Sequence, residues 1–309
     1  MYTQQRFLLM TLDPVHIGTG GYRLGRVDLS IARDLGTNLP KIPGTSLAGA
    51  ARSYAAMRYE KLGCAGQGSR DRNHCGEAAC PICYTFGHAR GRAGGNAGTV
   101  SLGDAQLLLF PVYSMAGPVW VTSVAQLRQA GFAVNAPELA RGEFATTLAA
   151  WAKHLNLGWL LLEHKPGDAD ISPAGQEAVQ GWKDIARRLV LVEEGIFSQI
   201  VNSNLEVRTS VSIDPVTGAA KAGALFTYEA LPRAAWLWCD VVEDDYRIGD
   251  EPWPVSQTFT NKALGETWSR SLAVVKAGLG LAEYLGVGGM GTRGFGRIKV
   301  MHNWEVSHA

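Results

Sequence analysis

Apolar side chains recur along this chain at two spacings, and the switches between them outline an α+β order. Residues Gln5–Leu12 make an apolar run that stops at Asp13-Pro14, which predicts an opening strand. Leu47, Ala51, Tyr54 and Met57 fall on one side of a helix that Thr45 or Ser46 can cap and that Gly63 can stop after Leu62. Thr99–Val112 and Val119–Thr122 read as strands about the turn Gly117-Pro118, and Ala234–Val242 reads as another. Leu205–Tyr228 reads as a long hairpin turning at Asp214-Pro-Val-Thr-Gly218. The spacing predicts helices over Pro137–Lys153, Gly175–Val190 and Lys262–Leu285. The last carries Leu264, Trp268, Leu272, Val275, Leu279 and Ala282 on one face. A strand over Arg297–Met301 closes the order, which fits a ferredoxin-like (RRM-like) core with large insertions, within a single domain over 1–309. One surface of such a sheet is a common RNA platform.

Glycine punctuates both ends of this plan. The loop His16-Ile-Gly-Thr-Gly-Gly21 follows the first strand, and Gly286-Val-Gly-Gly-Met-Gly-Thr-Arg-Gly-Phe-Gly-Arg297 runs straight into Ile298-Lys-Val-Met301. A glycine string lets backbone N–H groups approach a ligand that side chains would block. Interleaved Arg293, Phe295 and Arg297 add charge and a stacking surface, the combination single-stranded nucleic acid asks for. The structural alternative is a tight helix-to-strand connection. The formal G-x-G-x-x-G at Gly289, Gly291 and Gly294 is no dinucleotide fingerprint. It precedes a strand rather than a helix, and only fifteen residues follow it. The helix beginning near Ser46 follows Lys41-Ile-Pro-Gly-Thr45, so its first N–H groups form either an anion site or an ordinary cap.

The 309 residues, 46% hydrophobic and 18% charged, can bury a substantial core, and no apolar run reaches the length of a membrane span. The first strand makes a poor signal peptide, so the expected setting is cytoplasmic. A net charge of +1 hides an asymmetry: residues 1–100 carry 12 Lys+Arg against 6 Asp+Glu, and the remainder carries 17 against 22. A locally basic surface can hold phosphates whatever the total.

The His16-Ile-Gly-Thr-Gly20 loop, the Arg26-Val-Asp-Leu-Ser-Ile31 segment, the Lys41-Ile-Pro-Gly-Thr-Ser-Leu-Ala-Gly49 helix start and the terminal Gly291-Thr-Arg-Gly-Phe-Gly-Arg297 together resemble the RAMP superfamily. More narrowly, the chain resembles the repeated backbone subunit of type III CRISPR effector complexes. Leu102-Gly-Asp-Ala-Gln-Leu-Leu-Leu-Phe-Pro-Val112 and Trp120-Val-Thr122 are similar to the III-B subunit. Cys80-x-x-Cys83-x-x-Phe86-Gly87 and the terminal glycine motif are similar to the III-A one. Two departures stand out. Ala48 occupies a position where the family usually has lysine, so that phosphate contact is either missing or supplied by Arg52, and Ser30 replaces a common proline.

The resemblance implies a subunit that binds guide RNA (crRNA) and pairs it with single-stranded target RNA. It implies further copies in a filament, head to tail, and other type III subunits as neighbours. It places RNA contacts at His16, Gly18, Thr19, Gly20, Lys41, Ser46, Arg52, Gly291, Thr292, Arg293, Gly294, Phe295 and Arg297, although His16 taken by itself reads first as a satisfied loop histidine. It implies a thumb that kinks the duplex, for which Leu205–Tyr228 is the candidate, an ordinary packed hairpin being the alternative. It makes Asp28 the catalytic carboxylate of an endoribonuclease that uses Mg²⁺ or Mn²⁺. Without the resemblance Asp28 reads as a solvated loop acid. Asp13 and Asp34 are reserve candidates. A single carboxylate is chemically sufficient, because RNA carries its own nucleophile in the 2′-OH and the protein's work is mainly positioning. The alternative is the same fold as a non-catalytic RNA-holding subunit.

Four of the five cysteines, Cys64, Cys75, Cys80 and Cys83, fall within twenty residues. In a reducing setting four soft ligands on a loop suit structural, tetrahedral zinc, with reduced free thiols as the alternative and His74 a possible replacement for Cys64. Arg70, Arg72, Arg90 and Arg92 surround them, so residues 63–98 read as a basic zinc-binding insertion. Cys239, in an apolar strand, reads as core.

Overall fold

Phe7, Leu8 and Leu9 are consecutive and all fully buried. A strand turns successive side chains to opposite faces, so the sheet that holds them is covered on both sides. The computed structural model describes residues 2–20, 27–66, 74–77, 79–88, 95–173, 179–246, 259–261 and 266–306. Its principal strands are β1 (Thr3–Thr11), β2 (Ala105–Ser114), β3 (Gly117–Thr122), β4 (Leu189–Val192), β5 (Glu206–Ile213), β6 (Ala220–Ala230), β7 (Trp236–Glu243) and β8 (Ile298–Glu305). Two long helices are α1 (Gly44–Arg58) and α2 (Ser271–Leu285).

Nine strands of an eleven-stranded sheet run in the order β8-β1-β7-β2-β3-β4 and on through Glu143–Thr146, Leu160–His164 and Leu155–Leu157, while Lys41–Ile42 pairs with β2 and Val100–Leu102 with β7 beside that path. Neighbours among its first four strands are antiparallel, with Phe7 opposite Cys239 and Leu9 opposite both Leu237 and Val300. Helix α1 connects β1 to β2 and α2 connects β7 to β8. The two helices cover one face, where Phe7, Leu9, Leu107 and Leu237 join Leu47, Ala51, Val275 and Leu279. The opposite face, carrying Leu8, Leu108, Trp236 and Trp238, is covered by Phe132, Ile171, Trp182 and Ile185. Phe132 and Trp182 lie 5.1 Å apart, and Trp182 meets Trp236 edge-on at 6.3 Å. The open sheet platform expected from the sequence is therefore occupied by the insertion between β3 and β4.

The helices cross closely at Gly278, where a Cβ would lie 2.1 Å from the carbonyl oxygen of Ala51. Helix propensity alone makes Gly278→Ala stabilising by about 1 kcal/mol. The crossing should reverse that sign and cost about 1–3 kcal/mol. A lower thermal midpoint is the expected result, and a higher one would refute the close contact.

Several elements differ from the sequence pattern. No helix forms over 137–153: Gly142 takes φ +94°, and Glu143–Thr146 pairs with β4. Within 175–190 only Trp182–Ala186 is helical before β4 begins, while 174–178 lie outside the described residues. Helix α1 starts at Gly44, ahead of Thr45 and Ser46, and Met57 is half exposed. Helix α2 starts at Ser271, because Glu266–Trp268 pairs as a short strand with Phe259–Asn261, and Leu264 lies outside the described residues. A helix the pattern missed, Glu194–Ser203, begins where the Glu193 carboxylate accepts from the N–H groups of Gly195 and Ile196 at 2.9 and 3.2 Å.

The long hairpin does form. Strands β5 and β6 pair from Glu206↔Ala230 to Ile213↔Ala220 as a two-stranded ribbon separate from the large sheet. Its outer part is solvent-facing: Val211, Ile213, Val216 and Leu225 are all exposed.

Candidate nucleic-acid interface

Two neighbouring stretches, residues 13–20 and 27–33, and the remote stretch 288–297 meet at the inner end of this ribbon. The glycines explain how they fit. Gly288, at φ +89°, leaves no room for a side chain, since a Cβ would sit 2.6 Å from the carbonyl oxygen of His16. Gly289 N–H donates to that same oxygen at 2.9 Å, and Gly296 N–H donates to the Pro14 carbonyl at 2.9 Å. The terminal glycine string is thus docked on the His16 loop, while Gly18, Thr19, Gly20 and Gly291, Thr292, Arg293, Gly294 face solvent. His16 itself is buried, and its Nδ1 lies 2.7 Å from the Glu229 carbonyl oxygen. A carbonyl only accepts, so Nδ1 carries the proton.

The segment around Asp28 is sewn to β6. Leu29 N–H donates to the Thr227 carbonyl at 3.0 Å, and Glu229 N–H donates to the Leu29 carbonyl at 3.2 Å. The buried Glu229 carboxylate accepts from Ile31 N–H at 3.0 Å and pairs with Arg33 at 2.6 Å. Asp28 is exposed. Its Oδ2 accepts from the Thr227 N–H at 2.7 Å and from the Thr227 hydroxyl at 2.8 Å. These bonds, the backbone one first, hold the Asp28 carboxyl below the ordinary carboxylate range. No described residue bonds Oδ1.

The two reserve acids have other work. Asp13 forms a bidentate pair with Arg297, at 2.5 and 2.9 Å, and Arg297 holds its pKa down. Asp34 folds its own turn, accepting through Oδ1 from Gly36 N–H, Thr37 N–H and the Thr37 hydroxyl.

Around the same junction, aromatic rings on β6 and the terminal loop pack together. Tyr228 meets Phe295 at 5.6 Å and Phe226 at 5.8 Å, with Arg208 4.6 Å over Phe295 and Arg293 5.4 Å over Phe226. Phe295 is buried, so it anchors the loop instead of offering a stacking face. Of the predicted basic contacts, Arg293 stands on the exposed loop and Arg297 is tied to Asp13.

Lys41 N–H donates to the Ala32 carbonyl at 3.1 Å, beside this junction, but the side chains of Lys41 and Arg52 are engaged within the chain. Lys41 pairs with Asp104 at 2.6 Å, and the same carboxylate accepts from Gly44 N–H at 2.8 Å. The first turn of α1 therefore meets an anion from its own chain, and Ser46 N–H bonds the Pro43 carbonyl. Arg52 is spent inside the cysteine insertion, donating to the carbonyls of Cys64 and Phe86 at 2.8 and 3.3 Å and contacting the His74 ring; burial lowers its pKa.

That insertion brings Cys64, Cys75, Cys80 and Cys83 together. Their sulfurs are 3.4 Å (Cys64–Cys75), 3.7 Å (Cys75–Cys83) and 3.9 Å (Cys64–Cys80) apart, and all four lie within 4.8 Å of one another. Tetrahedral zinc with bonds of about 2.3 Å sets sulfur–sulfur edges of about 3.8 Å, so the spacing fits. Burial pushes the Cys64 thiol up to about 11, and its neighbour Cys83 with burial pushes Cys80 higher still. A bound dication would reverse that preference and hold thiolates. His74 is outside the group, its ring bonded to the Gly66 carbonyl and to Arg52. Ala55, Ala56, Ile82 and Val274 bury the cluster against α1 and α2. Arg70, Arg72, Arg90, Arg92, Gly21 and Arg26 lie outside the described residues.

Thr227, Glu229, Arg33 and Tyr228 escaped the sequence reading. The alternation Phe226-Thr-Tyr-Glu229 was the available signal: on a strand it sends aromatic and polar side chains to opposite sides.

This sheet, with two helices on one face and glycine loops beside its strand ends, is the architecture of a known class. Residues 8–299 match the RAMP superfamily, and the chain belongs to it. It is 27% identical over 311 residues to the CRISPR system Cmr endoribonuclease Cmr4 of Pyrococcus furiosus, covering 94% of this chain and 93% of that protein. The same fold occurs in the crystal structure of oligomeric Cmr4 from Pyrococcus furiosus, with a TM-score of 0.60 and 22% identity over 99% of this chain and 100% of that one. It occurs also in the type III-B Cmr-beta cryo-EM structure of the apo state, with a TM-score of 0.62 and 14% identity over 98% and 97%. The resemblance to type III CRISPR backbone subunits holds. No described helix is long and apolar enough to cross a membrane.

Proposed function

We propose that this chain is a crRNA-binding backbone subunit of a cytoplasmic type III CRISPR effector complex and that it cuts guide-complementary target RNA with Asp28. The observation that carries this reading is the clamped, solvent-facing Asp28 carboxylate at the junction of two glycine loops and the ribbon. The activity in the name of the Pyrococcus furiosus relative, an endoribonuclease, supports it. The order β8-β1-β7-β2 with two helices on one face supports a ferredoxin-like core. The ribbon is the thumb in this reading, and copies of the chain stack head to tail along the guide.

The 2′-oxygen of the target attacks the adjacent phosphorus as Asp28 Oδ1 takes its proton. The bond from phosphorus to the 5′-oxygen breaks, and that oxygen leaves protonated from solvent. The products are a 2′,3′-cyclic phosphate and a 5′-hydroxyl. Among the described residues the four cysteines are the only group of three or more metal-ligating side chains close enough to share an ion. In its other use the Asp28 carboxylate would hold a catalytic Mg²⁺ or Mn²⁺ with phosphate oxygens and water, a donor set such hard cations accept, and the ion would neutralise charge developing on the phosphate. Zinc at the four cysteines has a structural role, since four protein ligands leave no open position.

Protein assembled on guide RNA should cut a complementary target when Mg²⁺ or Mn²⁺ is present. A target with 2′-deoxy at the scissile nucleotides should bind and survive. Assembly without any cutting would leave a passive RNA-holding subunit. For binding, Arg293→Ala should lower affinity and reduce the salt slope by about one. Arg297→Ala should change the slope less, because Asp13 already neutralises it. Equal effects from the two would overturn that assignment.

A further inference from the structure

The ribbon and the Asp28 loop are joined by a reciprocal set of hydrogen bonds. Asp28 N–H donates to the Thr227 hydroxyl at 3.1 Å, while that hydroxyl and the Thr227 N–H both donate to Asp28 Oδ2, at 2.8 and 2.7 Å. The one hydroxyl hydrogen is committed to the carboxylate, and its oxygen accepts from the same residue's backbone. Its orientation is therefore fixed by Asp28 alone. An exposed aspartate on a loop ordinarily samples several rotamers. Two donors on one oxygen select a single carboxylate plane and leave the other oxygen turned outward. The following bonds, Leu29 to Thr227 and Ile31 to Glu229, keep loop and strand in one register.

Resting on the catalytic reading of Asp28, we propose that Thr227 is the positioning residue of this site. Its hydroxyl holds the Asp28 carboxylate so that Oδ1 faces the target, and it makes cleavage depend on the seating of the ribbon strand. Thr227 sits on β6, whose partner β5 and connecting turn stand apart from the large sheet. RNA that displaces the ribbon from the loop would break the clamp and disarm Asp28, while RNA that leaves it seated meets an ordered carboxylate. Pre-organisation of this kind acts on the rate of the bound complex more than on capture.

The test uses the full guide-assembled complex under single-turnover conditions, with capture measured separately on a 2′-deoxy target. Thr227→Val keeps the β-branch and the backbone N–H but removes the hydroxyl. It should slow cleavage at saturating target by about 10- to 100-fold, the worth of one hydrogen bond to a charged group, with capture unchanged. Thr227→Ser should restore most of the rate. Wild-type cleavage by Thr227→Val would overturn the proposal. So would a Thr227→Ser complex as slow as the valine one, or a loss confined to capture. If the valine chain does not assemble, Thr227→Ala against Thr227→Ser carries the same comparison. Asp28→Ala separates the two ideas. If it is inactive while Thr227→Val cuts normally, only the positioning role falls; if it cuts at the wild-type rate, both fall.

Discussion

Asp28→Ala is expected to leave guide assembly and target capture intact while lowering cleavage by about 10²–10⁴-fold, the usual contribution of one proton-transferring side chain. The geometry gives the reason for the split. Asp28 is exposed and its bonds are confined to Thr227, so its removal empties no core position and unpairs no buried charge. Its Leu29 and Ile31 neighbours keep their backbone bonds to β6 and Glu229. An effect on the rate without one on binding marks a group that acts in the transition state. Asp13→Ala should behave differently, releasing Arg297 and loosening the join between the terminal strand and the first loop.

The second large effect is at the cysteines. Purified, chelator-free protein should carry about one zinc per chain, and Cys80→Ser combined with Cys83→Ser should lose it. Zinc in small four-ligand sites contributes an apparent 10–16 kcal/mol at neutral pH, so its loss is expected to unfold the insertion. That insertion packs through Ile82 and Cys83 against Ala55, Ala56 and Val274, which sit on the two helices of the core. A lower thermal midpoint should therefore accompany the metal loss. Metal analysis finding no zinc in freshly purified wild type would sink the assignment.

What the sequence revealed, and what it hid, follows from the range of the interactions. The hairpin at 205–228 and the strands beginning at Gln5 and Ala234 were legible because their alternation and turn residues are local. The cysteine group was legible because four sulfur ligands in one short segment have few other uses. The segment 137–153 misled because its apolar spacing resembled a helix, whereas Gly142 and pairing with β4 decided for a strand. The covered sheet face was hidden, since Trp182 and Trp236 meet across more than fifty residues. Arg52 and Lys41 were assigned by motif position, and only packing shows their charges committed to the His74 and Asp104 environments. The Asp28 clamp was out of reach for the same reason: Thr227 is 199 residues away.

Strand β1 lies between β7 and β8, and Phe7 pairs with Cys239, 232 positions later. During synthesis, then, the first strand waits on the order of tens of seconds for either neighbour to leave the ribosome. Until they do, its apolar Phe7–Leu9 stretch has no sheet to enter. Pairing so remote closes late and slowly, and it exposes the nascent chain to aggregation in the interval. The same delay falls on the site: the Asp28 carboxylate cannot be fastened until Thr227, 199 residues later, has been made.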